Sequence, residues 1–202
     1  MGLIFYRLEY YIAWARYLLL EVPTEKIITD RLVLRSFSLA DAKGLLGYLS
    51  NPRVNCFRGE KITTHEEAIS EAKKKSEDDS HIAVLLNDDE NLIGELFYLY
   101  EEPDTYSIGW NFNEQYEGRG YAGESAKALF QYLFNEKRAR RLYAYVEDDN
   151  YRSQKLCEKL GMRKEGCFLE FISFIKDENG IPKYENTFQY ALLKKEWEKQ
   201  QI

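Results

Sequence analysis

Apolar positions recur along this chain with two periods, and the switches between them mark most of its elements. From Tyr121 onward, Ala122, Ala126, Leu129, Phe130, Leu133 and Phe134 fall at helical spacing, which predicts a helix pressing one face onto a sheet. Ile27 to Arg35 reads as a first strand, and Ser38 caps a helix running to about Leu49. Thr64-His65-Glu66-Glu67 offers a capping box for a second helix, with Ala68, Ile69 and Ala72 on its apolar face. Ile82 to Leu86 and Leu92 to Tyr98 are strands around the turn Asn87 to Asn91, and Tyr106 to Phe112 completes a meander. Arg141 to Val146 is the next strand and Asn150 to Leu160 the next helix. Arg163 to Ile175 then pairs with Tyr184 to Leu193 across Asn179-Gly180. The order predicts an α/β (α+β) fold: a mixed, mostly antiparallel sheet of about seven strands flanked by helices.

The first 23 residues stand apart. Leu3, Ile4, Phe5, Tyr10, Ile12, Trp14 and Leu18 to Leu20 make the segment strongly apolar, but Arg7, Glu9 and Arg16 interrupt it. No uncharged run is long enough to span a bilayer and no small-residue cleavage site follows, so neither a signal peptide nor a membrane helix is expected. The pattern predicts an extra N-terminal helix over residues 1–23, ended by Pro23, which packs on the domain or on a second copy to give a homodimer. One domain is expected over residues 24–202.

Charge and cysteine usage narrow the chemistry. With 34 acidic against 28 basic side chains the net charge is −6, which argues against coating nucleic acid and favours cationic substrates. Cys56, Cys157 and Cys167 show neither even count nor CxxC spacing, which points to reduced thiols in the cytoplasm. Two histidines without ligand spacing predict no metal.

The stretch Gln115-Tyr116-Glu117-Gly118-Arg119-Gly120-Tyr121-Ala122 joins a strand to a helix through glycines two apart. Glycines permit a tight turn and close backbone approach, and the helix start adds unpaired N–H donors, so this is a built anion site. Gly118, Gly120 and Gly123 also spell the dinucleotide fingerprint. The polar segment Asn113 to Glu117 between strand and loop, and the absence of repeated strand–helix units afterwards, argue against that reading.

Further along stands Asn150-Tyr151-Arg152-Ser153-Gln154-Lys155-Leu156-Cys157-Glu158-Lys159-Leu160-Gly161-Met162. This segment resembles the Asn-led helix of the GCN5-related N-acetyltransferase (GNAT) superfamily, and the glycine block resembles that superfamily's Q/R-x-x-G-x-G/A signature. Gly118 to Ala126, Lys164-Glu165-Gly166 and Leu192 to Trp197 are similar to the RimJ/RimL-like branch, which acetylates ribosomal-protein N-termini. The resemblance runs from about Thr29 to Trp197. It implies a sheet in which two neighbouring strands splay apart to admit acetyl-CoA, with direct transfer of acetyl to a primary amine, a protein N-terminus or a small amine.

On that resemblance, Gln115, Gly118, Arg119, Gly120, Tyr121 and Ala122 would hold the pyrophosphate, and the backbone of Trp110, Asn111 and Phe112 the pantetheine arm. For Trp110 and Phe112 core packing is the competing role. Asn150 would meet the cofactor arm or simply cap its helix. Ser153 would stand near the sulfur and stabilise the departing thiolate. Many superfamily members carry a tyrosine acid where this chain has Cys157. Glu170 is the candidate base for a protonated amine, with Glu95 and Glu124 as alternatives. Leu169 replaces an arginine common in relatives, so acceptor specificity does not transfer. Two other classes remain: a CoA-binding regulatory or interaction module without turnover, and a nicotinamide oxidoreductase.

Overall fold

The computed structural model describes residues 26–200, so the expected N-terminal helix lies outside the described residues. Eight strands form one sheet: β1 (Ile27–Ile28), β2 (Leu32–Arg35), β3 (His81–Leu86), β4 (Leu92–Glu101), β5 (Thr105–Phe112), β6 (Arg141–Glu147), β7 (Arg163–Lys176) and β8 (Pro182–Leu193). Their spatial order is β1-β2-β3-β4-β5-β6-β8-β7. Every neighbouring pair is antiparallel except β5 and β6. The helices are α1 (Ala42–Leu49), α2 (His65–Ser76), α3 (Tyr121–Asn135), α4 (Tyr151–Lys159) and α5 (Lys194–Gln200).

The expected architecture is present, with one more strand than anticipated. The run Ile27 to Arg35 is two strands rather than one, because Thr29 N–H bonds the Leu32 carbonyl and folds Asp30 and Arg31 into a turn, which pairs Ile27 with Leu34. Ser38 opens a 3-10 turn, Leu39–Asp41, before α1 begins. The capping box of α2 forms as expected: Thr64 Oγ1 accepts from Glu67 N–H at 3.2 Å, and Glu67 Oε2 accepts from Thr64 N–H at 3.1 Å. The β7–β8 hairpin turns at Gly180, whose φ of 78° lies in the left-handed region.

Two cores lie on opposite faces of the sheet. The larger packs Leu32, Val84, Ile93, Ile108, Leu142 and Val146 against Leu129, Phe130, Leu133 and Phe134 of α3, with Trp197 of α5 stacked on Phe134. The smaller sits under α1 and α2, where Leu45, Tyr48, Leu49, Ala68 and Ala72 meet Ala83, Leu85 and Leu92.

Beside the smaller core, a charged cluster fixes α2 to β3 and β4. Glu95 is fully buried and accepts from Lys75 Nζ at 2.8 Å, from Tyr48 Oη at 3.4 Å, and lies 3.1 Å from His81 Nδ1. Burial pushes the Glu95 carboxyl upward. The hydrogen bond to His81 and the charge and hydrogen bond of Lys75 outweigh that and hold it below the ordinary glutamate range. A depressed folded-state value contributes stability above the unfolded value, and that contribution is lost as pH falls through the folded one. Glu95 is thus a structural carboxylate, held charged and already partnered. Replacing Lys75 with Met leaves it buried with less compensation, so K75M should lose about 3 kcal/mol or more in urea unfolding. The double variant K75M/E95L should recover part of the loss.

Candidate active site

β5 and β6 pair through only three positions: Thr105 with Arg141, Tyr106 with Leu142, and Ser107 with Tyr143. Beyond them both strands run on unpaired with each other, β5 to Phe112 and β6 to Glu147. β4 occupies the far edge of β5 as far as Phe112, opposite Gly94. The edge of Ile108–Phe112 that faces β6 is therefore an open backbone edge at the wall of a wedge-shaped cleft. Trp110, Asn111 and Phe112 lie along it.

The glycine loop follows β5 beyond this open edge, and Glu117 beside it pairs with Arg152 of α4. Gly118 and Gly120 take φ of 76° and 82°, and Gly120 is the N-cap of α3. The first-turn N–H groups of α3 have no intrahelical partners and face outward with the positive end of the helix dipole. Gln115 and Arg119 are exposed, and Tyr121 and Ala122 are partly buried in the first turn. The Arg119 guanidinium lies 5.8 Å from the centre of the Tyr116 ring.

One residue that the sequence pattern did not single out positions this loop. Arg31, in the turn between β1 and β2, donates Nη1–H to the Arg119 carbonyl at 3.0 Å and Nε–H to Glu124 Oε2 at 2.7 Å. It also stacks over Tyr121 at 4.7 Å. Glu124 in addition accepts from Thr29 Oγ1 at 2.6 Å and from the Arg31 N–H at 3.0 Å. Burial raises the Glu124 carboxyl, but these bonds outweigh it and keep the group below its ordinary range. Both carboxylate oxygens are engaged, so Glu124 anchors the loop.

Trp110 and Ser153 meet across the cleft. The Trp110 indole N–H donates to Ser153 Oγ at 3.1 Å, joining β5 to α4. One serine lone pair is thereby occupied while its O–H stays free to donate elsewhere. Trp110 and Phe112 also pack against the larger core, as their competing role required. Asn150 caps α4 through Oδ1, which accepts Ser153 N–H at 3.2 Å. Asn111 carries a buried Nδ2 without a hydrogen-bond partner.

The 3-10 turn Asn55–Glu60, which the pattern left unassigned, crosses the opposite face. Phe57 packs edge-on against Phe97 of β4, Cys56 lies near Glu147 at the end of β6, and Asn55 Nδ2–H donates to Glu185 Oε1 of β8 at 2.6 Å. Just before it, Arg53 Nη1–H bonds Glu117 beside the glycine loop at 2.7 Å. This strap touches β4, β6 and β8, so it spans the gap between β5 and β6.

A family model described as an acetyltransferase (GNAT) domain matches residues 31–163, which hold the loop, the wedge and the Asn-led helix together. The chain belongs to the GNAT acetyltransferase family. YnaD of Bacillus subtilis (strain 168), an uncharacterized N-acetyltransferase, is 35% identical over 176 residues, covering 85% of this chain and 98% of its own. A GNAT-family acetyltransferase structure from Bacillus anthracis superposes with a TM-score of 0.75 at 30% identity, over 85% of this chain and 99% of that one. RimL, a ribosomal-protein acetyltransferase in complex with coenzyme A, shares the fold with a TM-score of 0.66 at 19% identity, over 84% of this chain and 98% of its own.

In this GNAT enzyme the thiols of Cys157 and Cys56 are poor nucleophiles. Burial pushes Cys157 up to about 12, and burial together with Glu147 raises Cys56 further. Glu170 lies at a β7 bulge with φ of 47°, its side chain exposed and its N–H bonded to Asn186 Oδ1 at 2.9 Å. Among the described residues, no group of three or more His, Cys, Asp or Glu side chains is arranged to hold a metal ion. No described helix is long and apolar enough to cross a membrane.

Gly118 tests the loop geometry without steric interference, because open space surrounds the position of a Cβ there. Gly118→Ala should lower unfolding free energy by about 1 kcal/mol through left-handed backbone strain alone. Ligand-free denaturant unfolding reads this directly.

Proposed function

We propose that this enzyme transfers the acetyl group of acetyl-CoA directly to a primary amine, a protein N-terminus or a small amine. The observation that carries this reading is the wedge between β5 and β6, which has anion-binding N–H groups at its mouth and the Trp110–Ser153 pair across it. The N–H groups of Gly118 to Ala122, with Arg119 nearby, would hold the pyrophosphate. The free edge of Trp110 to Phe112 would pair with the amides of the pantetheine arm. The buried, unpartnered Asn111 Nδ2 fits a site that a polar ligand completes.

Ser153 is the residue assigned to the departing sulfur. Its hydroxyl accepts from the Trp110 indole, so its own proton is aimed elsewhere and can stabilise a thiolate as charge develops. The unpaired state of Cys56, Cys157 and Cys167 agrees with a reducing compartment, the cytoplasm. An acyl carrier at Cys157 or Cys56 is unsupported because burial disfavours both thiolates.

Thermal unfolding with acetyl-CoA, CoA and NAD tests the donor. Saturating acetyl-CoA or CoA should raise stability by about 2.7 kcal/mol at a hundredfold excess over Kd, and NAD should not. A shift with NAD alone would sink the assignment. Arg31→Ala, which frees the loop from its anchor, should weaken CoA binding in the same assay. Ser153→Ala should lower kcat by about 10- to 100-fold, the value of a hydrogen bond to a charged group, with little change in that shift.

A further inference from the structure

The acetyl-transfer reading leaves the acceptor without a receiving group. Glu95 and Glu124 have their carboxylate oxygens bonded within the protein, and Glu170 is exposed on a bulge. Glu185 differs from all three. It is 8% exposed, Asn55 of the strap bonds one carboxylate oxygen, and the other, Oε2, is enclosed without a hydrogen-bond partner. Thr187, two residues along the same strand and 3% exposed, has an equally enclosed and unpartnered Oγ1.

The sheet register places these residues one strand from the cleft, across the end of β6. Thr187 is the cross-strand partner of Glu147, and Tyr145 the partner of Gln189, so Glu185 shares a face with Glu147 and Tyr145. Leu142, Ala144 and Val146 alternate with them and enter the core under α3. Glu185 therefore lies opposite the helices that carry the glycine loop and Ser153, on the face covered by the strap. Its surroundings are negative, with Asp149 and Glu147 close enough to disfavour its charge. Beside it, Tyr145, Phe168 and Phe171 form a partly exposed bed of rings, with centroids 5.0 to 5.9 Å apart.

We propose that Glu185 is the carboxylate that receives the acceptor's ammonium beneath the strap, and that the acceptor is a cationic primary amine with an apolar or aromatic group resting on the Tyr145–Phe168–Phe171 bed. This rests on the acetyl-transfer reading above and assigns the acceptor half of the same site. The ammonium bonds Glu185 Oε2 and Thr187 Oγ1, and one of its protons passes to the carboxylate. The nitrogen lone pair then forms the N–C bond at the thioester carbonyl while the C–S bond breaks. The sulfur leaves with that electron pair and takes the second nitrogen proton. Glu185 returns its proton to solvent.

Burial, with Asp149 and Glu147, outweighs Asn55 and Lys183 and holds the Glu185 carboxyl above its ordinary range, which suits a base working toward neutrality. The acid limb of kcat/KM should accordingly lie above the usual carboxylate range.

The test measures thiol release from acetyl-CoA with phenethylamine, spermidine and short peptides bearing a free N-terminus, alongside the acetyl-CoA thermal shift. Glu185→Gln keeps an oxygen for Asn55, so its unfolding midpoint and acetyl-CoA shift should match the parent. Its kcat/KM for the amine should fall about 100-fold or more, and the acid limb should vanish. Glu185→Asp, which keeps the charge but withdraws it, should fall between the two. Phenethylamine and peptides with an apolar first residue should outperform spermidine. Undiminished turnover in E185Q, a loss confined to E170Q, unfolding of E185Q, or a parent that no amine stimulates would each overturn the proposal. If acetyl-CoA still shifts the parent's midpoint in those cases, the donor reading survives. If it does not, the donor reading is what failed.

Discussion

The separation of β5 from β6 after Ser107 and Tyr143 is the constraint on which the rest of the site depends. A parallel pair continued to its end would satisfy every backbone group along Ile108–Phe112 and leave no entry through the sheet. Breaking off early leaves those groups facing an opening, and everything nearby compensates for it. β4 holds the outer edge of β5 through Phe112, and β8 holds β6 through Glu147, so each half of the sheet stays rigid while the gap between them persists. Gly109 permits the Phe97 ring to cross β5 directly, since a Cβ there would overlap that ring.

Two bridges then define the two faces of the gap. On the helix side, the Trp110–Ser153 bond ties the open strand to α4, and Gln154 Nε2–H bonds the Asp148 carbonyl at 3.0 Å to fix α4 to the end of β6. On the other side, the strap reaches from Phe97 to Glu185. Glu117 sits where these systems meet the glycine loop, accepting from Arg53 and pairing with Arg152 at 2.5 Å. Each of those exposed ion pairs is individually worth little, so their effect is geometric rather than a large contribution to stability.

The three buried or half-buried carboxylates differ in environment. Glu95 and Glu124 have cations and donors on their oxygens, which lowers their proton affinity and makes them structural. Glu185 is buried beside acidic neighbours, which raises it against its single amide donor and Lys183. The same residue type thus anchors α2, anchors the loop and, in our proposal, receives the acceptor, according to what surrounds it.

The sequence by itself determined the elements, the glycine loop and the helix opened by Asn150, because helical and strand periods, caps and glycine conformations are properties of residues close together in the chain. It also singled out Trp110 and Ser153, though not their contact. Only the tertiary structure decided that the Ile27 to Arg35 run folds back at Asp30, that Arg31 clamps a loop 88 residues away, and that Asn55 meets Glu185 across 130 residues. Pairings of that kind depend on which strands lie adjacent and where their register ends. A strand glutamate such as Glu170 or Glu185 reads alike in the chain, and burial beneath a segment more than a hundred residues upstream distinguishes the two.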